Sequence, residues 1–219
     1  MRIYLSLRKN DKSIPFNYQE LLTGVIHKWI GKDNGVHGKS GHYSFSWIQN
    51  TIASKKGINL KDGAYFFIGT YKESLLKQII KGILEDPEMF HGVKVNDVQI
   101  KNIPDFSSSE KFLMASPVLL KIKQEDKISH VTLEDNNFEE VLTESFKNRL
   151  EKANLLSEGI SIRLNPETNF RQTKLVTYKG IKNRTSLAPI IIEGTPEQIA
   201  FAWCTGLGNS TGIGFGALK

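Results

Sequence analysis

The chain shows the same order of strand-like and helix-like hydrophobic patterns twice, and this repetition limits the fold more than any other feature. In the first half, residues 2–8 alternate apolar and polar side chains, as a half-buried strand does. Residues 18–32 and 73–85 carry apolar side chains at helical spacing. Further strand-like segments cover residues 43–48, 64–69 and 94–103. The resulting order, β-α-β-β-α-β, predicts a ferredoxin-like unit.

The second half repeats this order after a polar segment, residues 104–109, which has the composition of a linker. Residues 138–156 form one helical pattern. A second helix is predicted to begin with Thr195 as its N-cap and Pro196 in its first position. Strand-like segments cover residues 114–122, 160–164, 174–178, 187–192 and 213–218.

The two patterns divide the chain into two domains of similar length. We assign residues 1–106 to an N-terminal ferredoxin-like domain and residues 107–219 to a C-terminal one. The 219 residues are enough for two small domains, each with its own core. The predicted fold class is α+β, with two tandem ferredoxin-like domains and a C-terminal glycine-rich loop.

Composition and charge exclude several classes of protein. The only cysteine, Cys204, excludes a disulfide within the chain and a zinc cluster built on cysteine. No apolar run approaches the roughly 20 residues of a membrane helix, and no secretory signal is visible. We therefore expect a cytoplasmic protein with no membrane contact. The formal charge of +6 favours a polyanionic partner such as nucleic acid.

Residues 206–216 contain five glycines in eleven positions, between a predicted helix and the last predicted strand. Glycine at this density indicates a backbone that adopts positive φ or approaches a partner closely. The order of helix, loop and strand excludes a P-loop and a dinucleotide-binding fingerprint, because both place the loop after a strand and before a helix. A loop that packs the last strand and a loop whose amides bind phosphate both remain open. The candidate contact residues are Gly208, Asn209, Ser210, Gly212 and Gly214.

A cluster of basic residues lies on a predicted β-hairpin whose turn contains Gly180. Five basic residues occur within fourteen positions, and no acidic residue occurs between Glu167 and Glu193. A solvated hairpin that happens to be basic is the alternative, but the missing acids favour contacts with nucleic-acid phosphates. The basic residues are Arg171, Lys174, Lys179, Lys182 and Arg184.

Three of the five histidines, His27, His37 and His42, fall within sixteen residues. Helical geometry places His27 nearly opposite the apolar stripe of its helix, so its side chain should face away from that core. His37 and His42 flank a polar loop that contains Lys39, and such loops often display catalytic groups. Surface histidines without a role are the alternative. The candidate catalytic residues are His27, His37, Lys39 and His42.

Imidazole and ammonium groups suffice to cleave RNA without a metal ion. A base takes the proton of a 2′-hydroxyl, which attacks the adjacent phosphorus, and an acid protonates the departing 5′-oxygen. A cation stabilises the charge that develops on the phosphoryl oxygens. The acidic pairs at residues 134–135 and 139–140 lie at or near a predicted helix start, where they favour the helix dipole, and form no compact cluster. We therefore expect no metal and no other cofactor.

The pattern Gly-Leu-Gly, a short polar insert and then Gly-Ile-Gly-Phe-Gly resembles the glycine-rich loop of the repeat-associated RNA-binding superfamily of CRISPR systems. Within that superfamily the chain is most similar to the Cas-six type endoribonucleases, which process CRISPR precursor RNA. The resemblance covers the whole chain, because it includes the length, the two halves and the loop. Non-cleaving relatives in CRISPR effector complexes carry similar loops.

This resemblance implies roles for individual residues. In the family, a Tyr or His on the first helix belongs to the active site, at the position of His27. A His in the following loop corresponds to His37, and a Lys or second His corresponds to Lys39 or His42, a choice that the sequence leaves open. The family also uses a basic hairpin of the second domain to contact the RNA stem.

The leading hypothesis is a metal-independent endoribonuclease that cleaves CRISPR precursor RNA within its repeats. Attack by the 2′-hydroxyl would leave a 2′,3′-cyclic phosphate and a 5′-hydroxyl. The alternative is a non-catalytic RNA-binding subunit of a CRISPR effector complex, and a third hypothesis is an RNA-binding module outside CRISPR systems. Other effector subunits and a second copy of the chain remain open as protein partners.

Overall fold

The computed structural model describes residues 1–10, 12–31, 42–124 and 127–219. The first half contains strands β1 (Arg2–Leu7), β2 (Tyr43–Phe45), β3 (Gln49–Ser54), β4 (Gly57–Thr70) and β5 (Val95–Lys101), with helices α1 (Gln19–Ile30) and α2 (Glu73–Glu85). The second half contains strands β6 (Ser109–Phe112), β7 (Leu120–Gln124), β8 (Lys127–Val131), β9 (Ser161–Leu164), β10 (Gln172–Tyr178), β11 (Ile181–Leu187) and β12 (Ile190–Glu193), with helices α3 (Phe138–Lys152) and α4 (Pro196–Thr205) and a 3-10 helix (Thr211–Ile213).

The first half has the ferredoxin-like arrangement that its hydrophobic pattern predicts. Its antiparallel sheet has the strand order β2-β4-β1-β5, with α1 following β1 and α2 preceding β5. Both helices share one apolar core with this sheet, including Leu22, Trp29 and Ile79. Strand β3, which forms a hairpin with β4, was not predicted, because its polar sequence lacks the apolar alternation of a half-buried strand.

The second half repeats the arrangement around a separate apolar core. Strand β12 lies between β6 and β9, and helices α3 and α4 contribute the buried side chains Phe146 and Phe201. The place of a fourth strand is taken by the last residues of the chain. There the Lys219 amide donates to the Leu113 carbonyl at 2.6 Å, and a single bridge joins Met114 to Leu218.

Three predicted strands of the second half are wrong in detail. Residues 187–192 do not form one strand, since β11 ends at Leu187 and β12 begins at Ile190. Residues 114–122 do not form one strand, since β6 ends at Phe112 and β7 begins at Leu120. Pro117 lies between them and lacks the amide hydrogen that a strand ladder needs. Residues 213–218 form only an isolated bridge, because Gly214 and Gly216 adopt φ of 89° and 67°. Positive φ is incompatible with extended strand geometry.

A buried arginine joins the two halves. The guanidinium of Arg2 on β1 stacks against Phe67 of the first half and Trp203 of α4, at 4.3 and 3.8 Å from the ring centres. Its Nε donates to the Trp203 carbonyl at 3.2 Å. Close backbone approach adds to this junction, because a Cβ at Gly69 would lie 2.5 Å from the Cys204 carbonyl oxygen. The position of α4 relative to the first sheet is thereby fixed.

Two helix glycines provide a matched test of the packing in the first half. A Cβ at Gly82 of α2 would lie 2.3 Å from the Trp29 carbonyl oxygen, whereas a Cβ at Gly24 of α1 meets nothing within 4 Å. We expect Gly82→Ala to lower the free energy of unfolding by about 1–3 kcal/mol through overpacking. Gly24→Ala should instead raise it by roughly 0.5–1 kcal/mol, since alanine favours the helix. Urea unfolding of both variants measures the difference, and equal effects would contradict the close contact.

Candidate functional site

Helix α1, strand β2 and the glycine-rich loop, residues 206–216, meet at one place. His27 on α1 is half-buried, and its Nε2 lies 3.3 Å from the hydroxyl oxygen of Tyr43 on β2. The Tyr43 hydroxyl donates to the carbonyl of Gly212 in the loop at 2.9 Å. The side chain of His27 therefore faces the loop of the second half, in agreement with the expectation that it turns away from the core of its own half.

The hydrogen bonds of Tyr43 determine which nitrogen of His27 carries a proton. The phenol has one proton, and the Gly212 carbonyl can only accept, so the phenol proton belongs to that bond. The phenol oxygen must then accept from the Nε2–H of His27. In the neutral imidazole, Nδ1 is consequently the basic nitrogen. Burial raises the pKa of the Tyr43 hydroxyl, which keeps that group protonated.

Donors from the first half fix the backbone of the glycine-rich loop. The Gln19 amide nitrogen donates to the Ile213 carbonyl at 2.6 Å, and the Trp47 indole donates to the Gly214 carbonyl at 3.0 Å. The Thr211 hydroxyl in turn donates to the Tyr43 carbonyl at 2.9 Å. Because carbonyls buried without partners are strongly destabilising, these bonds hold the loop in one conformation.

The loop residues predicted to contact RNA differ in exposure. Ser210 is exposed, and Asn209 and Gly212 are partly exposed. The Asn209 side chain also accepts from the Lys121 amide at 2.7 Å. Gly208 and Gly214 are buried. A Cβ at Gly208 would lie 2.6 Å from the Leu119 carbonyl oxygen, and a Cβ at Gly214 would lie 2.6 Å from the Phe45 ring. Packing therefore accounts for these two glycines.

A buried arginine supports the loop from beneath, and the sequence interpretation missed it. Arg149 on α3 donates to the Gly206 and Thr205 carbonyls at 2.6 and 2.8 Å, and lies 3.5 Å from the Thr211 hydroxyl. Burial lowers the pKa of its guanidinium to about 10, so it remains protonated at neutral pH. The available signal was a charged residue three positions after Phe146, on the apolar face of a helix.

The remaining candidate catalytic residues do not all lie in one described cluster. His37 and Lys39 lie outside the described residues. His42 packs against Phe201 of α4, with the ring centres 5.6 Å apart, and its buried Nδ1 has no hydrogen-bond partner among the described residues. Burial lowers the pKa of His42, with smaller contributions from the charges of Lys72 and Arg149.

The basic hairpin forms as predicted, from β10 and β11. Lys179 and Gly180 form its two-residue turn with φ of 48° and 75°, values that suit a type I′ turn. Arg171, Lys179 and Lys182 are exposed. Arg184 is exposed too, but it pairs with Glu134 at 2.8 Å, an acid from outside the stretch that lacks acids in the sequence.

The inner face of the hairpin packs beside the loop. Val176 shares a small apolar cluster with Leu119 and Phe215, and Trp47 packs against this cluster. The Lys174 ammonium lies 5.7 Å from the centre of the Trp47 ring. The hairpin, the loop and the start of α1 thus form one continuous surface.

Among the helices of the described ranges, none combines the length and hydrophobicity needed to cross a membrane. Within the same part of the chain, no three His, Cys, Asp or Glu side chains are grouped as metal ligands would be.

The fold defines the class of this protein: it has two ferredoxin-like halves that meet at a glycine-rich loop, and a histidine of the first helix lies beside that loop. A solved structure of a Cas6-related protein from Pyrococcus furiosus has the same fold, with a TM-score of 0.86 and 24% identity over 100% of this chain and 97% of that chain. Another, described as a RAMP protein binding different RNA substrates, has a TM-score of 0.84 and 22% identity over 100% of this chain and 98% of that chain.

Residues 100–219 match the family described as CRISPR associated protein Cas6, C-terminal, and they make up more than half of the chain. The chain therefore belongs to the Cas6 family of CRISPR RNA-processing and RNA-binding proteins. A curated relative from Pyrococcus furiosus, a CRISPR-associated endoribonuclease-like protein Cas6, is 27% identical over 242 residues, covering 100% of this chain and 98% of the relative. The family resemblance of the sequence is confirmed.

The lowered pKa of His42 predicts a loss of stability in acid. Between its folded-state pKa and the unfolded value of about 6.5, the unfolded chain binds more protons, so stability falls as the pH falls through this window. His42→Gln should flatten that dependence. Part of it should remain, because burial also lowers the pKa of His130. Chemical unfolding of the wild type and of His42→Gln between about pH 7 and 5 measures how steeply the free energy of unfolding depends on pH. Identical slopes for the two proteins would refute the prediction.

Proposed function

We propose that the chain is a metal-independent endoribonuclease that cleaves CRISPR precursor RNA within its repeats. The observation that carries this proposal is the series of hydrogen bonds from His27 through Tyr43 to the Gly212 carbonyl. It places an imidazole of defined tautomer beside the glycine-rich loop. The RNA substrates named for the structural relative and the endoribonuclease-like name of the curated relative support RNA as the substrate.

The proposed reaction needs two proton transfers and one cation. A base removes the proton of the 2′-hydroxyl, and its oxygen forms a bond to the adjacent phosphorus. The bond from phosphorus to the 5′-oxygen breaks, and an acid protonates that oxygen, giving a 2′,3′-cyclic phosphate and a 5′-hydroxyl. His27 and His37 supply the proton-transfer groups, since imidazole titrates near neutral pH. At His27, Nδ1 exchanges the proton while Nε2–H donates to Tyr43.

The cation for the developing phosphoryl charge is better supplied by Lys39 than by His42. Burial beside Phe201 and the nearby positive charges lower the pKa of His42, so its imidazole is mainly neutral at physiological pH. A neutral imidazole gives little electrostatic stabilisation. A lysine ammonium is charged across the neutral range. We therefore assign the third role to Lys39.

In the proposed complex, the hairpin and the loop bind the RNA. Lys179, Lys182 and Arg171 present exposed charges to the phosphates of the repeat stem, which is recognised mainly by shape and backbone contacts. Gly212 is partly exposed and is linked to His27 through Tyr43, and Ser210, two residues earlier in the loop, is exposed; the cleaved strand would pass over these residues. Gly208 and Gly214 contribute through the path of the loop. Lys174 lies beside Trp47 at this surface, and Arg184 and Asn209 are proposed as further RNA contacts from the hairpin and the loop.

The alternative function is a non-catalytic RNA-binding subunit of a CRISPR effector complex. The same hairpin and loop would serve it, together with contacts to other effector subunits or to a second copy of the chain. Binding alone gives no reason for a histidine held in one tautomer by a buried tyrosine, which is why cleavage is the favoured proposal.

Cleavage of repeat RNA should persist in excess EDTA. His27→Ala and His37→Ala should each slow it by about 10²-fold or more, because general acid and base groups contribute roughly 10²–10⁴. Lys39→Ala should slow it at every pH from about 6 to 8, because lysine stays charged throughout this range. Single-turnover rates and RNA affinities are measured together, and the affinities should change little.

His91→Asn is the matched control for these variants. His91 has φ of 53° and is exposed, and asparagine tolerates this backbone conformation. Its cleavage rate should equal that of the wild type. Magnesium-dependent recovery after EDTA, or normal cleavage when the nucleotide 5′ of the cut lacks its 2′-hydroxyl, would overturn the mechanism. Tight RNA binding without any cleavage would favour the non-catalytic alternative.

Removing charge from the hairpin should weaken RNA binding and reduce its dependence on salt. Lys179→Ala with Lys182→Ala should lower the slope of log K against log salt by up to about 0.9 for each lost phosphate contact. Arg184→Ala should have a smaller effect, since Arg184 already pairs with Glu134. The charge-matched control is Lys77→Ala with Lys81→Ala on α2. If the hairpin variants and the control variant show the same slope of log K against log salt, the hairpin does not contact phosphate.

A further inference from the structure

A small groove lies between the start of α1 and strand β10, next to the candidate site. Its volume is about 190 Å³, and its walls come from Phe16, Tyr18, Trp47, Leu175 and Val176, with Gln19 at one side. Two of these apolar side chains are unusually open to solvent, since Phe16 is 63% exposed and Leu175 is 61% exposed. Exposed apolar residues on both sides of one groove indicate a surface that a ligand covers.

The walls suit a flat, aromatic ligand that carries negative charge nearby. Phe16 and Trp47 offer ring surfaces, and bases of single-stranded RNA stack on such rings. The Lys174 ammonium lies 5.7 Å from the centre of the Trp47 ring and supplies a positive charge at the border of the groove. A nucleotide combines these properties, because its base is aromatic and its phosphate is anionic.

Gln19, which lines the same groove, carries an acceptor that has no hydrogen-bond partner among the described residues. Gln19 is only 4% exposed, and its amide nitrogen donates to the Ile213 carbonyl at 2.6 Å, which fixes the orientation of the amide. The oxygen Oε1 has no hydrogen-bond partner in the described part of the chain. Buried polar atoms almost always have a partner, so this oxygen is suited to accept from a donor that a ligand brings.

We propose that this groove holds one unpaired base of the bound RNA, and that Gln19 Oε1 accepts a hydrogen bond from its exocyclic amino group. Adenine, cytosine and guanine carry such a group, whereas uracil does not. The proposal rests on the proposed RNA binding of the chain and adds a specific subsite to it.

The position of the groove places this base beside the candidate site. Gln19 and Trp47, which line the groove, also donate to the Ile213 and Gly214 carbonyls of the glycine-rich loop. On the opposite wall, Leu175 belongs to the basic hairpin, and its pairing partner in the neighbouring strand is Arg184. A strand of RNA that follows the hairpin toward the loop would therefore pass the mouth of the groove.

The experiment compares the binding of oligoadenylate and oligouridylate RNAs of about eight nucleotides, a length that a small single-strand site accommodates. Fluorescence anisotropy gives both affinities for the full chain. The wild type should prefer oligoadenylate. Phe16→Ala should weaken oligoadenylate binding by roughly ten-fold, in the range of a lost base stack. Leu156→Ala, which removes an apolar side chain that is 56% exposed and does not line the groove, should leave it unchanged.

A second variant tests the acceptor. Gln19→Leu should abolish the preference for oligoadenylate over oligouridylate. If the wild type binds RNA and Phe16→Ala binds each of the two RNAs as tightly as the wild type does, the subsite is refuted while the proposed function stands. If the wild type binds neither these RNAs nor repeat RNA, the proposed function itself fails. Phe16 is largely exposed, so its variant remains a fair test even if Gln19→Leu disturbs the loop.

Discussion

The two hydrogen bonds between Tyr43 and the glycine-rich loop are the interaction on which the candidate site depends. The hydroxyl of Tyr43 donates to the Gly212 carbonyl, and its own carbonyl accepts from the Thr211 hydroxyl. Strand β2 belongs to the first half and the loop to the second, so these bonds form only when both halves are folded and packed together. His27 takes its orientation from the same phenol oxygen. Loss of either half would therefore remove the site and not merely a part of it.

The loop owes its glycines to close packing, both within the loop and against the residues around it. A Cβ at Gly216 would lie 1.9 Å from the Leu207 carbonyl oxygen, and a Cβ at Gly206 would lie 2.6 Å from the Gly216 carbonyl oxygen. The chain thus folds back on itself too closely for any side chain. Buried Arg149 completes the arrangement by donating to the carbonyls at the end of α4. Packing therefore requires the glycines of the motif that makes the family recognisable, whereas Ser210 in the same loop is exposed.

Neighbouring histidines acquire different chemical properties from their surroundings. His27 contacts a polar hydroxyl at the edge of the loop, whereas His42 lies against Phe201 with its pKa lowered by burial. The phenol oxygen beside His27 accepts an N–H in either protonation state. The apolar surface around His42 disfavours its charged form. Proximity in sequence therefore groups these residues without giving them the same role.

Hydrophobic periodicity determined the ferredoxin-like order of both halves, and the span of α2 in particular, because burial of one face dictates spacing along the chain. The cluster of basic residues and Gly180 likewise determined the hairpin. The prediction from sequence missed β3, which is polar, and it also missed the break at Pro117, although a proline inside a strand pattern signals such a break. The sequence could not predict the partners of Arg149, Tyr43 and Gln19, since these contacts join residues 56 or more positions apart. Such contacts depend on how the two halves pack, and only the tertiary structure decides that.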